Sequence, residues 1–141
     1  MSTPSLDDVR KQALRLAAKI GAPLSALPTF GHTQDNARPH VEVDPLLAYV
    51  IVERGRELSR ESFARSDALM ERIFVDVTFE MASSFELEHR RPSEDFRRQL
   101  FNKQLSYLTV LDSSWAEHQR RALNEVLAAN PFTDGLQPTQ L

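Results

Sequence analysis

The sequence predicts an α+β fold: a small antiparallel sheet packed with one helix before it and three after it. Three observations carry this. An amphipathic helical repeat opens the chain, a β-branched and aromatic stretch lies near residues 40–63, and three long helical patterns follow.

Ser5 and Asp8 have the S-x-x-D spacing of a capping box, in which side chains cover the free N–H groups of a helix start. Leu6, Val9, Ala13, Leu16, Ala17 and Ile20 then recur every three or four residues, which places them on one helical face over about 6–20. Gly21 and Pro23 stop that helix. Residues 21–45 are rich in Pro, Gly, Asn and Asp and read as turns around short extended pieces. His40–Val43 is the first strand-like stretch, and Leu47–Glu53 (LAYVIVE) is the strongest. Arg54-Gly55-Arg56 supplies a turn and Glu57–Phe63 a return strand, giving two to four strands over about 40–63.

Ser66 or Asp67 opens the next helix, which runs to about Arg90, before Pro92. Met70, Ile73, Phe74, Val77, Met81 and Phe85 form its main stripe, while Leu69, Phe79 and Leu87 widen it toward all-round hydrophobicity. That pattern marks a central helix. Ser93 is expected to open the third helix, with Phe96, Leu100, Tyr107 and Leu111 in line. The fourth starts near Asp112–Ser114, aligns Trp115, Ala122, Leu123 and Val126, and stops at Asn130-Pro131.

A chain of 141 residues fits a single domain over 1–141, with residues 135–141 as a loose tail. The opening MSTPSLDD carries acids where a secretory leader would carry Lys or Arg. The longest apolar runs, such as Leu46–Val52, fall far short of the ~20 residues of a membrane span. A cytoplasmic protein is therefore expected. It has no cysteine, which removes disulfides, thiol nucleophiles and cysteine metal sites. A formal charge of −3 gives no global attraction for nucleic acid.

Catalytic templates fail for stated reasons. The four glycines, at 21, 31, 55 and 135, cannot build a phosphate-cradling loop, and no G-x-S-x-G turn exposes a serine. Glu86-x-x-His89 is half of a carboxylate di-metal set, and the second pair and further glutamates are missing. His32 and His40 lack carboxylate or cysteine company in the sequence pattern. No catalytic, metal or cofactor site is predicted.

Asp76 and Glu80 stand i,i+4 on the most apolar helix, with Ser83 on the same line. Four readings compete: an outward solvated face, pairing with Arg97 or Arg98, a partner-binding face, or paired carboxylates serving as acid and base. Residues 67–89 hold six acids (Asp67, Glu71, Asp76, Glu80, Glu86, Glu88) against Arg72, a net of −5. Residues 90–103 hold Arg90, Arg91, Arg97, Arg98 and Lys103 against Glu94 and Asp95, a net of +3. Pairing between adjacent helices is expected to absorb much of this, leaving an acidic surface suited to a basic partner.

The succession YVIVERGRELSR (49–60), IFVDVTFEMA (73–82), FELEHR (85–90) and DFRRQLFNKQLSYLTVL (95–111), then Trp115 and NPFTD (130–134), resembles the immunity protein 63 family. The resemblance covers about 47–134; residues 1–46 do not share it. It implies a non-enzymatic binder of a cognate bacterial polymorphic toxin, acting in interbacterial competition by direct occlusion. It also implies that Tyr49, Glu53, Arg54, Gly55, Asp76, Phe96, Arg97, Arg98, Gln104, Trp115, Pro131 and Phe132 chiefly determine the fold. Within that reading Gly55 serves a positive-φ turn and Gln104 satisfies buried backbone groups.

The expected partner is thus a toxin or effector domain, a nuclease being one class with a suitably basic cleft, contacted through Asp76 and Glu80 or through residues 21–46. Neither nucleic acid nor membrane is an expected partner, and a homo-oligomer is compatible with the sequence. An effector-loading adaptor of a secretion system is the alternative. A carboxylate metalloenzyme built on Asp76, Glu80, Glu86 and His89 is a remote third.

Overall fold

A computed structural model describes residues 4–135. The chain forms two compact units, one ending at Phe74 and one beginning at Val75.

The first unit opens with helix α1 (Leu6–Ile20). Ser5 accepts a hydrogen bond from the Asp8 N–H, and Asp8 accepts one from the Ser5 N–H, so the reciprocal capping box forms as its spacing predicts. Gly21, at φ 66°, ends the helix in the left-handed conformation. Val9, Ala13 and Ala17 are its buried positions, matching the three-and-four pattern.

Strands β1 (Thr29–Phe30), β2 (His40–Glu42), β3 (Leu47–Glu53) and β4 (Arg56–Phe63) follow in sheet order β1-β2-β3-β4. β2, β3 and β4 are antiparallel neighbours, as expected. β1 lies outside the expected range and pairs parallel with β2, so the sheet is mixed. A two-residue strand is too short to display alternation in sequence, which is why it reads only as one of the short extended pieces among turns.

The β3–β4 turn has Arg54 at φ 53° and Gly55 at φ 72°. Two successive positive φ values suit the right-handed twist of a hairpin, and glycine takes the second without steric cost. Ile51 pairs with Ser59 and Val52 with Glu57, so Leu58 sits in a bulge and is exposed. Leu47, Ala48, Tyr49 and Val50 are buried in succession, which accounts for the continuous apolar run of β3.

The turn-rich segment is tied down by specific bonds. Arg38 Nε and Nη2 donate to the Leu27 carbonyl, and the Ala37 N–H donates to Val52. The Gly55 N–H donates to Asp35 Oδ1.

Helix α2 (Ser66–Glu88) starts in the first unit, where Leu69, Met70, Ile73 and Phe74 are fully buried. In the second unit its remaining turns accompany α3 (Phe96–Leu111) and α4 (Ser113–Ala129). Val77, Thr78 and Ala82 are buried on α2, Leu100 and Leu108 on α3, and Trp115, Ala116 and Leu123 on α4. Gln104, fully buried, donates from Nε2 to the Val75 carbonyl and accepts from Gln119, joining three helices. That is the buried-backbone role its family resemblance implies. Helix α3 begins at Phe96, not Ser93. Ser93 has φ 67°, and Asp95 supplies the cap by accepting from the Arg97 N–H.

Candidate partner-binding surface

The second unit presents two distinct surfaces. One is the outward face of α2. Glu80 is exposed and Asp76 is half-buried and engaged within the structure. Between and beyond them lie Phe79, 49% exposed, and Leu87, 66% exposed. Helical spacing puts Asp76, Glu80, Ser83 and Leu87 on one line with Phe79 at its edge. The carboxylates therefore stand among large apolar side chains that water covers.

The cations expected to pair with this line go elsewhere. Arg97 donates to the buried Asp95 carboxylate and, through Nη1 and Nη2, to the Asn130 and Pro131 carbonyls. Arg98 donates to Asp134 and lies over the Phe132 ring. Arg90 binds Glu86 one turn back, and Arg91 approaches Glu94. The Arg90 and Arg91 pairs are thus local, Arg97 and Arg98 reach the segment after α4, and none of these pairs joins α2 to α3. Besides Gln104, Lys103 also links those helices: its ammonium sits 4.3 Å from the Phe85 ring centre and 5.0 Å from that of Tyr107.

The second surface is a groove of about 580 Å³ between residues 90–97 and 129–133. Asp95 fixes its walls. Its carboxylate accepts from the Arg97 N–H, the Arg97 guanidinium and the Thr133 N–H, while its own N–H donates to Asp134. The guanidinium, reinforced by the two backbone donors, holds the Asp95 carboxyl far below the usual carboxylate range. The sequence singled out both halves of this centre, DFRRQ and NPFTD, but not their contact, because Thr133 and Asp134 lie almost forty positions from Asp95 and only the fold brings them together.

The titratable pairs singled out in sequence have other occupations. Glu86 is buried, with 3% of its side chain exposed, and both its oxygens accept from Arg90. His89 Nδ1 lies 2.9 Å from the Phe85 carbonyl and its ring stacks on Phe85. His32 Nδ1 meets the Phe30 carbonyl, and buried His40 meets Glu42 at 2.8 Å. Arg60, with His40, holds the Glu42 carboxyl below its ordinary range. Among the described residues no three His, Asp or Glu side chains gather as a metal-binding group. Among the described residues no helix is long and apolar enough to cross a membrane.

The sequence comparison gives the chain a family. The family model described as Immunity protein 63 matches residues 44–125. The chain belongs to the immunity protein 63 family. No curated protein and no solved structure matches the chain. The matched span begins before β3 and ends within α4, so Gln104 and Trp115 fall inside it and NPFTD (130–134) falls beyond. Both carboxylates of the α2 line lie in the immunity protein match, as does one wall of the groove. Membership implies a cognate toxin as partner, in a family that is generally not enzymatic.

Proposed function

We propose that this immunity protein neutralises its cognate toxin by binding it directly and occluding it, in the cytoplasm of the cell it protects. Family membership is the observation that carries this reading. We assign the contact to the outward face of α2. Exposed Phe79 and Leu87 would supply the desolvated anchors that dominate interface energetics, and Glu80, with Asp76, the charges that guide encounter and register. An acidic face of this kind suits a toxin whose active cleft is basic, as a nuclease's is.

The test is survival of bacteria expressing the toxin domain encoded beside this chain. Co-expression of the wild-type protein is expected to restore growth, and its failure to do so would refute the function. Glu80→Lys is expected to weaken binding of the purified toxin about tenfold, with a larger loss at high toxin charge and low salt. Unchanged affinity in Glu80→Lys and in Phe79→Ala, both with wild-type melting curves, would remove the α2 face from the contact.

A further inference from the structure

We propose that the groove between residues 90–97 and 129–133 is a second recognition site, receiving a short extended segment of a partner protein that carries a carboxylate beside a large apolar side chain. Part of the groove lining is apolar. Phe96, a large aromatic at 51% exposure, lies there with Pro92, Ala129 and Pro131. An aromatic left half in water in the lining of a concavity is an unspent contact surface.

The hydrogen-bonding character of the walls is one-sided. Of the three arginines lining the groove, Arg97 has its Nε and both Nη groups engaged by Asp95, Asn130 and Pro131, which also occupies those acceptors. Arg90 and Arg91 differ. Arg90 uses Nε and one Nη on Glu86, whose carboxylate is itself buried. Arg91 reaches Glu94 only at 3.6 Å and through one nitrogen. In each pair the cation is the more exposed member: Arg91 is 66% exposed and Glu94 27%. A guanidinium carries five N–H donors, so both arginines keep donors turned toward solvent while the neighbouring carboxylates are withdrawn. The ion pairs are close to neutral in sum, yet the side they show an incoming group is cationic.

A carboxylate is the ligand that matches planar guanidinium donors, and an adjacent Leu, Phe or Trp side chain would cover Phe96. The walls need no rearrangement to accept it, because Asp95 and Arg97 already fix them to each other; a site formed beforehand loses less entropy on binding. This chemistry is opposite in sign to the α2 face, and does not depend on what the toxin is.

The probe is a phage-displayed library of random heptapeptides panned on the full chain, with the selected peptides resynthesised and measured by fluorescence anisotropy. Enriched peptides are expected to carry Asp or Glu next to Leu, Phe or Trp. Arg91→Glu and Phe96→Ala should each weaken the best peptide about tenfold, while Arg15→Glu, an exposed charge on α1, should leave it unchanged. Both groove side chains are exposed, and wild-type melting curves are the check that the variants fold. Absence of an acidic and apolar consensus, or a consensus whose binding neither groove variant weakens, would overturn the proposal. Enrichment of Lys- and Arg-rich peptides weakened by Glu80→Lys would do the same, since it would trace to α2.

Discussion

Asp95 is the residue on which the second unit's terminal architecture turns. It caps α3, pairs with Arg97 and holds the Thr133 N–H, so one carboxylate serves a helix start, an ion pair and a chain reversal. Asn at this position keeps a capping oxygen but loses the charge that Arg97 needs. Asp95→Asn is therefore expected to lower unfolding free energy by about 2 kcal/mol at pH 7, read by urea denaturation. The carboxyl titrates lower in the folded chain than its unfolded value of about 3.9. Its contribution is fully present above that pH and is lost as pH falls through the depressed native value. The difference between wild type and Asp95→Asn should accordingly shrink below about pH 4; a difference constant from pH 7 to pH 2 would contradict this role. Sequence reading favoured Ser93 as the helix opener because serine is a good cap in isolation. The fold chose Asp95 because there the same side chain also meets Arg97 and Thr133.

At the scale of elements, legibility followed range. Features completed within one turn of chain were readable: the Ser5–Asp8 capping box, the Gly21 stop, the Arg54-Gly55 turn and the start of α4. Asp112 is the sole residue between α3 and α4, and its Oδ1 accepts from the Ser114 N–H and Ser114 Oγ at the head of α4. Asp112→Ala is expected to cost about 1 kcal/mol of stability, measured by thermal or urea unfolding, the usual value of an N-cap; a loss below about 0.3 kcal/mol would mean the joint is held by packing alone. β1 was not readable, since its two residues acquire strand character only by lying beside β2. The charge blocks of 67–89 and 90–103 were visible, but their partners were not. An i,i+4 pair such as Glu86–Arg90 is always within reach, whereas pairing across helices depends on rotations that sequence does not specify. As a result Asp76 and Glu80, the carboxylates singled out in sequence, receive neither Arg97 nor Arg98.

For the whole molecule, the feature that bears most on function is the arranged surface of the second unit. Several of the candidate acids, bases and ligands serve fold contacts: Glu86 and Arg90, His89 and Phe85, His40 and Glu42. The faces left to solvent combine charge with large apolar side chains, acidic on α2 and cationic at the groove. Binding is what such surfaces do, and family membership says what kind of partner to expect. The candidate partner site was therefore partly legible. The acidic line could be read from spacing, while the exposed Phe79 and Leu87 that accompany it could not, because an all-round apolar helix reads as wholly buried.

The measurement that addresses the central claim most directly is the activity of the purified toxin domain encoded beside this chain, titrated with the purified immunity protein. Stoichiometric loss of activity on complex formation is expected, with the titration shifted to higher protein concentration by Glu80→Lys. A complex that forms while the toxin keeps full activity would contradict it, and would make the protein a carrier of the toxin instead of its inhibitor.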